Sequence, residues 1–251
     1  QNGSDSQSAG ALTLTFVAAE RDGSHSHGLF RVPGYVASLR SGKVNGAADP
    51  QISNKSPVIV NANGDDGYAP LAIERGIPAL AKAASEFGIA VMTLTHTHHF
   101  AALWPEVEAL AEQNLAGMAC VSYMPNVAPH GSNKPLFGTN PLAFAWPRKN
   151  KPPFVFDMAT SAMAGGDVAI AARDGHSVPL GTGLDENGNE TTDPAAILKG
   201  VMLPFGGHKG SAIATMVELL AAGATGERFS FEAQDADKGG RSRRTPIARR
   251  D

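Results

Sequence analysis

The chain has 251 residues, of which 42% are hydrophobic and 18% charged, and its formal net charge is −3 at pH 7. This composition is typical of a globular protein with a substantial core, in one large domain or two smaller ones. The negative charge argues against nucleic acid as the main partner, because phosphate backbones bind concentrated basic surfaces. With no signal peptide, no apolar run that would span a membrane and a single cysteine, Cys120, the sequence predicts a cytoplasmic protein.

Apolar residues alternate along the chain between helical and strand periods. Residues 11–17 fit either a strand or the end of a helix, and residues 27–39 predict a helix broken near Pro33. Residues 70–87 predict an amphipathic helix that ends before Gly88. Further helices are predicted at residues 106–113, 168–173 and 210–222, and strands at residues 57–61, 89–94, 115–123, 141–146 and 153–158, the last two as a hairpin. This order predicts an α/β fold.

Two stretches lack this periodicity. Residues 174–200 are rich in Gly, Asp, Asn and Thr, which is typical of a long loop. The end of the chain becomes rich in Arg, Gly and Ser, and six basic against two acidic residues give its last 15 positions a net charge of +4, as in a disordered tail. The sequence therefore predicts a poorly assigned segment at residues 1–17, a folded domain at residues 18–234 and a basic tail at residues 235–251.

Residues 23–31 place serine hydroxyls, two imidazoles and a guanidinium beside two glycines. Histidine exchanges protons near neutral pH, and arginine offers a rigid, charged fork that matches a carboxylate. His27 and Arg31 together suit proton transfer to a small acidic substrate. A structural alternative is that the same polar residues cap the start of a helix.

Three further imidazoles, at His96, His98 and His99, follow a predicted strand, at the edge where α/β proteins commonly bind ligands. A metal site is one alternative. However, neighbouring side chains of an extended run point to opposite faces, and no HExxH or CxxC pattern completes a ligand set, so no metal is expected. Histidines with a purely structural role in a loop are the other alternative.

Two more polar groups lie near glycines. Asp167 follows the pair Gly165 and Gly166, where its carboxyl group could orient an imidazole or cap a helix that starts at Val168, and the spacing leaves both open. Lys209 lies at a predicted helix start beside glycines, an arrangement that favours an anion. The P-loop order of Lys before Ser or Thr is absent, and no GxGxxG indicates a Rossmann site.

Five motifs in this chain occur in an order that resembles one enzyme family. They are residues 26–31 (SHGLFR), 98–102 (HHFAA), 138–141 (GTNP), 157–161 (DMATS) and 207–210 (GHKG). Together they resemble the malate/L-lactate dehydrogenase family, whose fold is not a Rossmann fold, over most of residues 18–232. Residues 24–31 and 99–105 are most similar to one branch, the Δ1-piperideine-2-carboxylate/Δ1-pyrroline-2-carboxylate reductases.

The resemblance implies a homodimeric NAD(P)H-dependent reductase, in which a mixed sheet with flanking helices binds the cofactor without a GxGxxG turn. The residue matching His27 is then the proton donor, those matching Ser26 and Asp167 orient it, and those matching Arg31 and Thr139 hold the substrate. Cofactor contacts are expected at His98, His99, Phe100, Ala101, Ala102, Asp157, Met158, Ala159, His208 and Lys209. The resemblance favours NADPH, with NADH as the alternative.

Family members carry additional helical sequence before the segment matching Ala18 and continue beyond the one matching Glu232, so we expect a fold truncated at both ends. The first functional hypothesis is reduction of a cyclic imino acid, Δ1-piperideine-2-carboxylate to L-pipecolate or Δ1-pyrroline-2-carboxylate to L-proline. The alternatives are a 2-oxo acid/2-hydroxy acid (malate or lactate) dehydrogenase, an inactive truncated member of the family, and a metal-dependent enzyme.

Overall fold

A computed structural model describes residues 2–98 and 101–237. The elements are α1 (Ser6–Arg21), α2 (Val32–Arg40), β1 (Gln51–Ser56), β2 (Ile59–Tyr68), α3 (Ala69–Phe87), β3 (Val91–His98), α4 (Trp104–Ala111), β4 (Gly117–Cys120), β5 (Leu142–Arg148), β6 (Lys151–Met158), α5 (Gly165–Asp174), β7 (Gly183–Leu184), β8 (Glu190–Thr191), α6 (Pro194–Lys199), β9 (Val201–Met202), α7 (His208–Glu218) and α8 (Ser230–Asp237). Two 3-10 turns, His25–His27 and Leu29–Arg31, precede α2, and a π-helical turn, Leu219–Gly223, extends α7. None of the helices in the described ranges is long and apolar enough to cross a membrane.

The strands of the described residues form three sheets of three strands each. In the first, β2 pairs antiparallel with β1 and parallel with β3, and α3 makes the crossover that a parallel pair requires. The second sheet, β4-β5-β6, and the small third sheet, β8-β7-β9, are antiparallel. The α/β fold with flanking helices is therefore confirmed, and the mixed pairing lies in the first sheet.

Helix α3 forms where the apolar period predicts it. It starts with Pro70 in its first turn, where the missing N–H leaves no helical hydrogen bond unmade. It ends at Gly88, whose φ of 82° places it in the left-handed region that glycine adopts readily and whose N–H donates to Ala84 O. The buried face of α3 packs against β2 and β3. Its larger members are Leu71 and Ile73.

The structure changes several predicted boundaries. Residues 11–17, which fitted either a strand or a helix end, belong to α1 and are therefore helical. Pro33 does not break a helix but lies in the first turn of α2, where proline is tolerated. The strand predicted at residues 57–61 is partly wrong, because residues 57–58 form the turn between β1 and β2. The predicted loop at residues 174–200 contains β7, β8 and α6.

Helix α5 starts earlier than the sequence pattern indicates. Its N-cap is Ala164 and its first residue is Gly165, so the predicted start at Val168 is wrong. Asp167 consequently lies inside the first turn and is not the cap. A carboxyl group in the first turn still interacts favourably with the helix dipole. The hairpin predicted at residues 141–158 is confirmed as β5 and β6.

The buried apolar residues form several clusters. One cluster lies between α5, α6, α7 and the segment before β5, and its members are Val127, Phe137, Val168, Val178, Ile197, Met202 and Ala214. A second packs α4 against the inner face of the second sheet through Leu103, Val107, Ala111, Ala143 and Ala145. A third joins α1, α2 and the end of β2 through Leu12, Tyr35, Val44 and Tyr68. These clusters hold in place the ends of elements from which the functional side chains project.

A buried polar network connects the loop before β5 to α7 and α8. Asn140 Nδ2 donates to Glu218 Oε1 (2.9 Å), and Tyr123 N donates to Asn140 Oδ1 (3.2 Å). Ser230 N donates to Glu218 Oε2 (3.1 Å), while the Ser230 hydroxyl donates to Glu218 and accepts from Gly138 N (3.2 Å). Asn140, Glu218 and Ser230 are each at most 5% exposed. Because buried polar groups depend on their partners, this network fixes residues 138–140.

We predict that Glu218→Ala lowers the free energy of unfolding by about 3 kcal/mol, because it leaves buried donors of Asn140 and Ser230 without an acceptor. Urea unfolding followed by circular dichroism measures this change. Glu186→Ala, at an exposed position, is the matched control and is expected to change the free energy by less than about 0.5 kcal/mol. Similar values for the two variants would contradict the role given to the network.

Candidate active site

A cavity of about 330 Å³ opens where the 3-10 turns before α2, the end of β6 and the start of α5 meet. It brings together residues that lie far apart in the sequence. Its lining includes these residues expected at the site: Ser26, His27, Arg31, Ala101, Ala102, Thr139, Asp157, Met158, Ala159 and Asp167. The cavity therefore unites the residues expected to bind substrate and donate a proton with part of the expected cofactor contacts.

The imidazole of His27 is held beside two serine hydroxyls. Its Nδ1 lies 3.1 Å from Ser26 Oγ and 3.3 Å from Ser24 Oγ. When the ring is protonated, both nitrogens carry a proton, so Nδ1 donates to a serine hydroxyl and the N–H of Nε2 remains for proton transfer. The resemblance pointed to Ser26 alone. Ser24, which also lines the cavity, is an additional contact that the motif does not include.

The segment that carries His27 is fixed to the end of α1 by Glu20. Glu20 Oε1 accepts from Leu29 N (2.7 Å), and Glu20 Oε2 lies 2.8 Å from His25 Nδ1. The hydrogen bond from Leu29, and after it the one from His25, lowers the pKa of Glu20 below its usual value. A side chain at Gly28 would collide with this carboxylate. The close approach of Glu20 explains why glycine follows His27.

Arg31 presents a guanidinium without an ion-pair partner among the described residues. Its Nε donates to Ser26 O (2.7 Å), which fixes the side chain across the turn that carries His27. A Cβ at Gly166 would lie only 2.7 Å from Arg31 Nη2 and 2.9 Å from Ser26 Cβ, so the guanidinium packs tightly against the start of α5. An unpaired guanidinium on a cavity wall is suited to bind a carboxylate.

Asp167 also lines the cavity, from the first turn of α5. Among the contacts of the described residues, its carboxyl group makes no hydrogen bond with Ser26 or His27. Catalytic hydrogen bonds often shorten only when substrate binds. A relay from Asp167 through Ser26 to His27 therefore stays a prediction.

Thr139 is held on the opposite side of the α5 start. Its carbonyl oxygen accepts from Thr160 N (2.8 Å) and Thr160 Oγ1 (3.0 Å), and its neighbours Gly138 and Asn140 belong to the buried network. A Cβ at Gly165 would lie 3.6 Å from Thr139 Cγ2, which is ordinary contact. The backbone around Thr139 is thus fixed on both sides, as a substrate contact requires.

Asp157 has a structural role that its motif does not reveal. Its Oδ2 accepts from Leu103 N (2.7 Å) and Trp104 N (3.1 Å) at the start of α4. These N–H groups have no partner inside the helix, so the carboxylate satisfies them and joins the end of β6 to α4. Residues Met158 and Ala159 follow this anchor into the cavity lining. A cofactor contact at Asp157 stays a prediction.

The remaining residues expected to contact the cofactor lie outside this lining. His98 ends β3 and is half-buried, and burial, followed by the charge of Lys43, lowers the pKa of its imidazole below the usual value. His99 and Phe100 lie outside the described residues. No group of three or more metal-ligating side chains occurs within residues 2–98 and 101–237.

His208 and Lys209 begin α7, directly after Gly206 and Gly207, whose φ angles of 54° and 63° are positive. The sequence analysis did not include His130, whose ring centroid lies 6.2 Å from that of His208. A Cβ at Gly207 would lie 3.0 Å from His130 Nδ1. Two imidazoles and a lysine at a helix N-terminus are suited to phosphate groups, and no motif spacing connects His130 to this end of α7.

Comparison with known proteins identifies the family of this chain. The sequence profile of malate/L-lactate dehydrogenase matches residues 1–247. The chain belongs to the malate/L-lactate dehydrogenase family. The family expected from the five motifs is thus confirmed. Membership in this dehydrogenase family implies an oxidoreductase that uses a nicotinamide cofactor.

Similar members carry the name of the expected branch. The chain is 53% identical over 225 residues to a Δ1-pyrroline-2-carboxylate/Δ1-piperideine-2-carboxylate reductase of Pseudomonas putida. The alignment covers 89% of this chain and 66% of that protein. The chain is 50% identical over 232 residues to the reductase of the same name from Pseudomonas syringae pv. tomato, covering 92% and 68% of the two chains. The chain therefore spans about two thirds of the length of these curated relatives.

Solved structures agree with the observed fold. The crystal structure of Δ1-piperideine-2-carboxylate reductase from Pseudomonas syringae superposes with a TM-score of 0.91 at 49% identity, covering 95% of this chain and 72% of that one. Malate dehydrogenase from Entamoeba histolytica has a TM-score of 0.89 at 24% identity, covering 95% and 70% of the two chains, and supports the fold alone. The non-Rossmann fold expected from the motifs is confirmed.

The close approach at Gly166 offers a test of the cavity geometry. We predict that Gly166→Ala lowers kcat/KM for reduction of Δ1-piperideine-2-carboxylate about 10-fold, because the added methyl group displaces Arg31 and Ser26. Steady-state NADPH oxidation measures this change. Gly10→Ala, in α1, is the matched control, since its methyl group meets nothing within 4 Å and lies outside the cavity lining. Equal activity of the two variants would contradict the close approach at Gly166.

Proposed function

We propose that the protein is an NAD(P)H-dependent reductase of cyclic imino acids, which converts Δ1-piperideine-2-carboxylate to L-pipecolate or Δ1-pyrroline-2-carboxylate to L-proline. The observation that carries this proposal is that His27 and Arg31 line one cavity, at positions matching the motif of the reductase branch, and that the Arg31 guanidinium has no ion-pair partner among the described residues. A proton donor and a carboxylate ligand are the two groups that an α-imino acid needs. The names of the similar relatives support the same substrate class.

Arg31 and Thr139 orient the substrate. The guanidinium binds the carboxylate through two hydrogen bonds, and the Thr139 hydroxyl donates from the other side of the α5 start. The cavity volume of about 330 Å³ is at the small end of the range for ligand pockets, which suits a substrate of one ring. Holding the carboxylate in this way places C2 and the imine nitrogen in a fixed position relative to His27.

His27 supplies the proton. The nicotinamide, when bound, supplies the hydride to C2 of the imine. The electron pair of the C=N bond moves to nitrogen, which takes a proton from His27 Nε2, and the product is a secondary amine. The hydroxyls of Ser26 and Ser24 orient the imidazole through Nδ1, and we propose that Asp167 joins Ser26 in a relay when substrate closes the site.

The start of α7 fits the phosphates of a dinucleotide. Lys209 and the imidazoles of His208 and His130 surround the positive-φ glycines, so the local charge and the exposed backbone N–H groups favour anions. The finer choice of NADPH over NADH, and contacts at His98, Ala101, Ala102, Asp157, Met158 and Ala159, are part of this proposal. The contacts at His99 and Phe100 rest on the resemblance alone.

The decisive experiment follows NADPH absorbance after addition of Δ1-piperideine-2-carboxylate, with pyruvate as a parallel substrate. We expect rapid oxidation with the imine, and His27→Ala is expected to lower kcat at least about 100-fold while NADPH binding stays within about 2-fold. His176→Ala, at an exposed position outside the cavity, is the control and is expected to keep full activity. Turnover with pyruvate alone would move the assignment to 2-oxo acids, and silence with both would favour an inactive member of the family.

We also propose that the protein forms a homodimer in the cytoplasm, as the resemblance implies. The outer face of the second sheet is the evidence for this proposal. It exposes a set of large apolar side chains, and such patches are typical of protein interfaces. The set consists of Met118, Trp146, Phe154, Phe156 and Met158.

We predict that light scattering gives the mass of a dimer and that Trp146→Lys shifts the protein toward monomer, because it places a charge in the apolar face. Leu180→Lys, at a position that is exposed outside this sheet, is the control and is expected to leave the dimer intact. A dimer that persists in Trp146→Lys would show that the contact lies on another surface.

A further inference from the structure

Asn126 lines the cavity but belongs to none of the five motifs. Its backbone is fixed, because Asn126 N donates to Phe137 O (2.9 Å) and Met202 N donates to Asn126 O (2.9 Å). The backbone of Asn126 is hydrogen-bonded, but within residues 2–98 and 101–237 its side-chain oxygen is not. The amide oxygen Oδ1 is buried and has no hydrogen-bond partner among the described residues. Within the part of the chain that the structure describes, the backbone of Asn126 is thus held in place while its amide oxygen makes no hydrogen bond.

The amide nitrogen lies beside the expected carboxylate ligands. Asn126 Nδ2 is 3.5 Å from the point where a Cβ of Gly165 would stand, and Thr139 Cγ2 is 3.6 Å from the same point. The next residue, Gly166, packs against the Arg31 guanidinium in the same way. The start of α5 is therefore surrounded by Thr139 and Asn126 on one side and by Arg31 on the other, and all of these residues line one cavity.

A buried amide oxygen without a partner is unfavourable, and native structures contain few such groups. Leucine has the same number and branching of side-chain heavy atoms as asparagine and would form this wall without a buried polar atom. This cost is retained at the wall of the cavity, which points to a ligand partner for the other polar atom of the amide, Nδ2, in the bound state. The partner must be an acceptor, because an amide nitrogen only donates.

We propose that Asn126 is a substrate-binding residue whose Nδ2 donates to the carboxylate of the imino acid. A carboxylate has about four acceptor positions on its two oxygens, so bidentate binding by Arg31 leaves room for the Thr139 hydroxyl and the Asn126 amide. This inference rests on the proposed function for the identity of the substrate. The carboxylate contact itself applies equally to a 2-oxo acid.

Asn126→Leu tests this role while it keeps the branched arrangement of the side-chain heavy atoms. We expect KM for Δ1-piperideine-2-carboxylate to rise about 10-fold with kcat within about 3-fold, because the lost hydrogen bond is present before and during reaction. The melting temperature is expected to stay equal or rise, since the variant removes a buried amide oxygen that has no partner. A residue with a purely structural role would lower stability instead. Asn126→Asp, which places a negative charge beside the carboxylate, is expected to raise KM further than Asn126→Leu.

Binding of pyrrole-2-carboxylate, measured by calorimetry, separates this inference from the proposed function. We expect Asn126→Leu to weaken this binding about 10-fold, whereas Asn54→Leu, at an exposed position of β1, leaves it unchanged. Turnover by the wild-type protein with an unchanged KM in Asn126→Leu would overturn the role of Asn126 alone. Loss of binding in Asn126→Leu without wild-type turnover would support Asn126 and reject the reductase. Absence of wild-type binding to pyrrole-2-carboxylate would also overturn the inference.

Discussion

The geometry of the cavity depends on the buried carboxyl group of Glu218. It accepts from the Asn140 amide and from the backbone and hydroxyl of Ser230, and Ser230 in turn accepts from Gly138. The residues on both sides of Thr139 are thereby tied to one side chain of α7. These buried hydrogen bonds hold the loop in place, so Thr139 lines the cavity without the cost of ordering it at each binding event.

Two charged side chains approach glycines closely near the segment that carries His27. Glu20 lies against Gly28, and Arg31 lies against Gly166. Each glycine gives up side-chain packing so that a charged group approaches the backbone, and each charged group then fixes the segment that carries His27. The glycine after His27 in the SHG motif thus has a physical reason that is local to this fold, independent of any direct contact with substrate.

Local sequence patterns predicted the helices and strands, whereas hydrogen bonds between residues far apart in the sequence were not predictable. Helix α3 was found because Pro70 and Gly88 mark its ends and its apolar period is helical. The contacts of Asp157 with Leu103 and of Glu218 with Asn140 join residues 54 and 78 positions apart. Such pairs leave no periodic signal. The motifs indicated a shared site for Ser26, His27 and Arg31 with Thr139 and Asp167 only because the resemblance supplied the tertiary arrangement, and the cavity lining contains all five.

In the proposed mechanism, the polar groups of the cavity recognise what imino acids and 2-oxo acids have in common. Arg31, Thr139 and Asn126 all line the cavity and are assigned to the carboxylate, and His27 is assigned to protonate whichever atom receives the electron pair, nitrogen or oxygen. Discrimination between the two classes must then come from the apolar part of the lining, formed by side chains such as Trp104 and Leu198. A ring fills more of such a wall than the short chain of pyruvate, and each additional buried methylene group contributes about 0.8 kcal/mol. The proposed roles therefore assign the choice of substrate to the shape of this wall rather than to a charged residue.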